Sequence, residues 1–257
     1  MEVAVQLQMA MRSQSIPVPS LSWLRELVQS RRPQPLAPLM ATARTRLLAS
    51  DLTTEGLLDD EYVAAHTLAT ATAGGGRNNN FTVEVKEMKL RQDVVVQVLD
   101  VENVTRSRWE QVEELEAIKR GEQTKGREMI RLPVGDGDDE LGDDAATQRL
   151  STQGDAAAAV AATATPKNAT HKLVLQDSEG RKVYALELQR IERIAVGKLN
   201  IGEKILLKTG TTVARGVILL EPAHCLMLGG KVEAWHRTWL DGRLAGLREG
   251  VGADRQQ

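Results

Sequence analysis

A single cysteine, Cys225, stands in 257 residues, so no internal disulfide can form and no thiolate cluster is available for zinc or an iron–sulfur centre. That usage fits a reducing compartment. Aromatic residues make up only 3% of the chain, which leaves few rings for single-stranded nucleic acid to stack on. Charge of one sign is also missing: 33 Lys plus Arg face 35 Asp plus Glu, a formal net charge of -2, too little for electrostatic capture of a polyanion. The longest uninterrupted apolar run, Ala156 to Ala162, falls far short of the roughly 20 residues that a membrane-spanning helix needs, so no membrane partner is expected. The start, Met1 to Arg12, carries Glu2 and no leucine-rich stretch, and fits neither a secretory signal nor a strong transit peptide.

What is present is ordinary for a globular chain, 42% apolar and 26% charged, enough for one large core or two smaller ones. Between Pro19 and Leu58, Trp23, Leu24, Leu27 and Val28, then Leu36, Met40, Ala43 and Leu47, recur at helical spacing. Pro33, Pro35 and Pro38 lie between the two runs, where ring-locked backbones end one helix and open the next. This predicts an N-terminal helical module over residues 1–65. The threonine, alanine, glycine and asparagine text of 66–80 has little to bury and reads as a flexible linker.

From Phe81 the vocabulary turns to β-branched residues. Strands are predicted at Phe81–Val85, Val94–Val101, Lys172–Leu175, Val183–Leu188, Ile205–Lys208 and Thr211–Leu220. Asp177-Ser178-Glu179-Gly180 reads as a hairpin connection, and Gly210 supplies the positive φ of a second tight turn. Five or six strands hide their edges best by coiling, and the oligonucleotide/oligosaccharide-binding (OB) barrel is the commonest five-stranded solution. The expected fold is therefore α+β and mainly β: a small helical module, then a five-stranded OB-fold barrel over 81–233 with a long insertion at 103–170 between its first two strands, then a C-terminal helix and tail over 234–257 carrying Trp235, Trp239, Leu240, Leu244 and Leu247.

The insertion, roughly 70 residues, far exceeds the roughly 2 to 6 residues of an ordinary connection. Ser107-Arg108-Trp109-Glu110 fits a capping box, and Trp109, Val112, Leu115 and Ile118 form an apolar arc ahead of Lys119, Arg120 and Gly121, so a helix belongs inside the insertion. The acidic stretch Asp136 to Asp144 and the alanine–threonine stretch Ser151 to Thr165 read as mobile.

Catalytic signatures fail one by one. Gly121 to Gly126 has the glycine spacing of a phosphate-binding loop, but Arg127 and Glu128 stand where that loop needs Lys and a hydroxyl. Asp136, Asp138 and Glu140 begin like a calcium loop that Leu141 and Thr147 break. His66, His171, His224 and His236 lack metal-ligand spacing, so no metal and no cofactor are expected. Asp100 and Glu102 would share one strand face, as paired acids do, yet strand-end carboxylates are usually only solvated. A nucleic-acid groove would have only Phe81 and Tyr184 as rings, both equally readable as core, with Lys198, Lys204, Lys208 and Arg215 for weak contact. A capped helix bearing a Trp with arginines beside it suits protein docking, although folding back on its own barrel is an equal alternative.

Several stretches together resemble the RecQ-mediated genome instability protein 1 family, in a fungal, single-OB form. They are Arg46 to Leu52, Gln97 to Val101, Ser107 to Glu122, Gly126-Arg127-Glu128, Lys172 to Asp177, Ile201 to Leu207, and Arg215 to Pro222 followed by Leu228 to Glu233. The last two, in that order and separation, are the most specific. The resemblance implies a non-catalytic subunit that binds type IA topoisomerase III, joins it to a RecQ-family helicase, and promotes decatenation and double Holliday junction dissolution in the nucleus, limiting crossovers. It implies that the insertion reaches the topoisomerase gate; because apolar anchors with adjacent guanidinium groups tolerate desolvation, the contact is placed on Trp109, Val112, Leu115, Arg127, Ile130 and Arg131, with Lys204 and Arg215, by family position and barrel location, as weaker candidates on the barrel. DNA contact would be weak or indirect. The alternative readings are a single-stranded-DNA-binding OB module and, last, an enzyme acting through Asp100 and Glu102.

Overall fold

A computed structural model describes residues 2–30, 35–72, 84–120 and 169–254. Four helices build the N-terminal module: α1 (Val3–Arg12), α2 (Leu21–Gln29), α3 (Leu36–Ala49) and α4 (Asp60–Ala65). The Ser20 hydroxyl caps α2 by accepting from the Trp23 backbone N–H at 3.2 Å, and Asp59 caps α4 by accepting from Tyr62 N–H at 3.1 Å. Leu7 and Met11 of α1, Leu24 and Leu27 of α2, and Leu39, Ala43 and Leu47 of α3 meet in one core. Helix α1 lies outside the two helical runs expected from Pro19 to Leu58.

A short helix α5 (Leu68–Thr72) follows, where a linker was expected over 66–80. Leu68 and Ala71 are fully buried in the sheet's core, and the buried Asp177 carboxylate accepts from Leu68 N–H at 3.1 Å. Two apolar side chains suffice to pin a segment whose composition alone reads as coil. The remaining linker residues, and Phe81 to Val83 of the first expected strand, lie outside the described residues.

The sheet comprises β1 (Met88–Lys89), β2 (Val94–Asn103), β3 (His171–Gln176), β4 (Lys182–Glu187), β5 (Lys204–Leu207), β6 (Thr212–Ala214), β7 (Val217–Leu220) and β8 (Cys225–Gly229). Their order is β1-β6-β7-β4-β3-β2-β5-β8. Strand β2 pairs antiparallel with β3 and β5, β3 antiparallel with β4, and β4 parallel with β7. Those five strands curl into a half-barrel, the OB arrangement, and β1, β6 and β8 extend it beyond the five or six strands expected. The single run expected over Thr211–Leu220 is broken at Arg215 (φ 48) and Gly216 (φ 79), a turn that folds β6 back on β7. The β3–β4 hairpin turns at Gly180 (φ 88), with Asp177 Oδ1 accepting from the Glu179 and Arg181 N–H groups.

Alternation along β2 couples the two modules. Val94, Val96 and Val98 point into the half-barrel, whereas Val95 joins Leu206 of β5 in the core of the helical module. The register shift between Val98 and Asp100 then turns Val101 inward and leaves Asp100 and Glu102 on the outer side. Helix α6 (Arg108–Arg120) leaves β2 directly, and α7 (Glu233–Asp254) closes the chain, laying Trp235 and Trp239 against the barrel core.

Candidate functional site

Helix α6 starts where the capping box predicts. Glu110 N–H donates to Ser107 Oγ at 3.2 Å and Ser107 N–H donates back to Glu110 Oε2 at 3.0 Å, satisfying two helix-start donors reciprocally. Gln111, 4% exposed, donates from its amide to the Asn103 and Arg106 carbonyls and ties the helix to the end of β2. The helix lies against α7, and the Arg248 guanidinium donates to Glu116 Oε1 at 2.6 and 3.0 Å across the pair.

Trp109 is 49% exposed at the first turn of α6. Val112, expected to touch a partner, is only 3% exposed; its side chain is buried in its own fold and offers no anchor in this arrangement. Leu115 is half-buried. Arg127, Ile130 and Arg131 lie outside the described residues.

Between the end of β2, α6 and α7 runs a cleft of about 390 Å³ lined by Asp100, Glu102, Arg108, Gln111, Trp239 and Arg243. Asp100 Oδ1 accepts from the Trp239 indole at 2.7 Å and from Val101 N–H at 2.8 Å. Glu102 accepts from Arg108 at 3.2 Å and from Lys172 at 2.6 Å. Burial pushes the Glu102 carboxyl up, but the hydrogen bonds from Lys172 and Arg108 outweigh it and hold it below the usual carboxylate range. The two acids once readable as a catalytic pair are thus both occupied as acceptors that fix α6 and α7. Arg243 lies over the Trp239 ring at 5.2 Å from its centroid.

Lys204, expected on an exposed docking surface, is fully buried. Its ammonium donates to the Gly202 carbonyl at 2.7 Å and to the Ser50 carbonyl of the helical module, and burial pushes its pKa down to about 8, with nearby Asp51 opposing the shift. It fastens the helical module to the sheet. Beside it, fully buried Gln97 accepts from Leu52 N–H at 3.0 Å and donates to Asp51 at 2.7 Å and Gln176 at 3.1 Å. Arg215 is exposed at the β6–β7 turn, and β4, β3 and β2 stand between β7 and β5 in the sheet, so Lys204 and Arg215 form no common surface.

Residue-by-residue reading missed the acid that holds the insertion's return. Asn103 and His171, the two residues flanking it, pair across β2 and β3. Glu187, 5% exposed, accepts from His171 backbone N–H at 2.9 Å, bonds the imidazole Nδ1 at 2.6 Å, and accepts from Arg190 at 2.8 Å and Ile191 N–H at 2.9 Å. Its alternation with Val183 and Ala185 on β4 points it inward, which was the one available signal. Among the described residues, no group of three His, Cys, Asp or Glu side chains could hold a metal.

Residues 74–243 match the family model described as RMI1, N-terminal OB-fold domain, and residues 12–54 match RMI1, N-terminal helical domain. A Schizosaccharomyces pombe protein named RecQ-mediated genome instability protein 1 is 27% identical over 185 residues, spanning 72% of this chain and 75% of the relative. A Saccharomyces cerevisiae protein of the same name is 24% identical over 177 residues, spanning 63% of this chain and 70% of the relative.

Proposed function

The chain belongs to the RecQ-mediated genome instability protein 1 family, and from that premise we propose that it is a non-catalytic subunit joining a type IA topoisomerase III to a RecQ-family helicase in the nucleus. Family membership gives it a role in genome stability. The finer reading is that it promotes decatenation and the dissolution of double Holliday junctions. One observation carries it: a capped helix stands at the mouth of an insertion between two central strands and presents a half-exposed Trp109. An aromatic anchor on a rigid element is what an interface hot spot requires.

A subunit without an active site changes strand passage only by binding the open and closed forms of its partner's gate with different free energies. A difference of about 1.4 kcal/mol shifts that equilibrium tenfold. Helix α6 acts as the fixed root, held by Glu102, Gln111 and Arg248, and residues 121–168, including Arg127, Ile130 and Arg131, make the state-dependent contact. Replacing 121–168 by a short Gly/Ser turn leaves the β2–β3 pairing and thermal unfolding in place and abolishes stimulation of decatenation by topoisomerase III. Undiminished stimulation contradicts the gate role.

Tyr184 favours a second reading. It is 58% exposed on the outer face of β4, aligned with Val174 and Val217, and Lys172 and Lys182 lie on the same face. In OB folds that face binds oligonucleotides. A single-strand binder shows oligonucleotide affinity that falls steeply with salt and is lost in Tyr184→Ala, whereas a scaffold shows neither.

A further inference from the structure

A second cleft, about 520 Å³, opens at the seam between the helical module and the sheet, away from α6 and α7. Its floor is apolar: Ile16 from the loop after α1, Val95 of β2 and Leu206 of β5. One wall is the stacked pair of Tyr62 and His66, ring centroids 4.3 Å apart and 12° from coplanar. Carboxylates ring the mouth. Glu61 has a 90% exposed side chain whose one ion pair is Arg12 at 4.0 Å, and Arg12 itself is shared with Asp59 at 3.9 Å. Asp93 is exposed and uses only Oδ1 inside the chain, accepting from Thr209 N–H and hydroxyl; its Oδ2 has no hydrogen-bond partner among the described residues. Gln14 also lines the cleft, its amide nitrogen donating to Met40 Sδ at 3.4 Å.

We propose that this seam cleft is a docking site for an extended segment of a partner protein that presents an arginine next to an apolar side chain. The apolar neighbour seats on Ile16, Val95 and Leu206. The guanidinium stacks on the Tyr62–His66 wall and reaches Asp93 and Glu61 with its planar fork, as a point-charge ammonium cannot. The volume lies in the range of clefts that bury a small organic ligand among apolar walls and a few fixed polar groups, enough room for side chains of a bound segment. The burial that pushes the Tyr62 phenol up, reinforced by Asp93, fits a dry wall facing an acidic mouth. This site does not depend on the topoisomerase reading, because no element of α6, α7 or the insertion takes part.

The test uses the full chain. A displayed library of random heptapeptides is panned against it, and the enriched sequences are synthesised with a fluorescent label and titrated by anisotropy against wild type, Asp93→Asn, Glu61→Gln and the double variant. Asp93→Asn keeps the oxygen that accepts from Thr209, and Glu61 is a surface residue, so both variants keep the fold. Enrichment of Arg beside Leu, Ile or Phe, at least tenfold weaker binding by the double variant, and loss of binding when Arg is replaced by citrulline are expected. Acidic consensus peptides, Arg peptides whose affinity is unchanged by both substitutions, or failure of any heptapeptide to enrich each overturn the proposal.

Discussion

Two junctions hold this molecule together, and they are built in opposite ways. Where the helical module meets the sheet, the side chains that join the two are buried: Val95, Leu206, Gln97 and Lys204 enter the seam, and Gly230 (φ 93) sits so close to α3 that an added Cβ would drive into the Leu48 carbonyl. Where α6 meets α7, the link is an ion pair between Arg248, 59% exposed, and Glu116, 29% exposed, and α6 carries the half-exposed Trp109. Buried, directional contacts lose several kcal/mol when one partner is removed; exposed pairs are worth roughly 0 to 1 kcal/mol each. The first junction is built to stay fixed. The second is linked only weakly across its surface, and α6 keeps its position through Glu102 and Gln111 at its root on β2.

The largest expected effect lies in the fixed junction. Gly230→Ala combines a left-handed backbone with a clash against main chain, and should cost about 2 to 4 kcal/mol in urea unfolding, with faster proteolysis between the modules. Gln97→Ala comes next: it strands the Leu52 N–H and removes one donor each from Asp51 and Gln176, and should cost about 2 to 3 kcal/mol by the same assay.

A smaller, pH-dependent effect separates the root of the insertion from both junctions. Burial pushes the Glu187 carboxyl up, but hydrogen bonds from His171 and Ile191 and the charges of His171 and Arg190 outweigh it, so its folded pKa lies below the ordinary glutamate value of 4.5. A depressed acid contributes stability that is whole above its unfolded value near 4.5 and is lost as pH falls through the folded value. Thermal unfolding followed from pH 7 downward should therefore show a shallower acid decline in Glu187→Gln than in wild type, from a lower plateau. Equal acid slopes would remove Glu187 from the account.

Legibility in sequence followed the range of the interaction. The α6 capping box spans four residues, as does the β3–β4 turn; both could be read directly. The valines of β2 announce a strand through their β-branching alone. Lys204 could not be read, because its partner at Ser50 lies 154 positions away and a lysine on a strand ordinarily signals exposure. Val112 looked like an interface residue because α6 has apolar residues around a wide arc, and only the placement of the helix decides which of them turn inward. Helix α5 was hidden by its threonines and alanines, and α1 by the lack of a side-chain cap at Glu2. The cleft at the module seam is assembled from Gln14, Tyr62, Asp93 and Leu206, residues that no local pattern connects.

The comparison between the two junctions is tested most directly by titrating topoisomerase III against wild type, Trp109→Ala and Gln97→Ala by calorimetry, with unfolding curves for all three. Trp109→Ala should bind at least tenfold more weakly while its unfolding midpoint stays close to wild type, and Gln97→Ala should unfold earlier yet bind with wild-type affinity. Wild-type affinity in Trp109→Ala, with the loss falling on Gln97→Ala instead, would contradict the assignment of docking to α6.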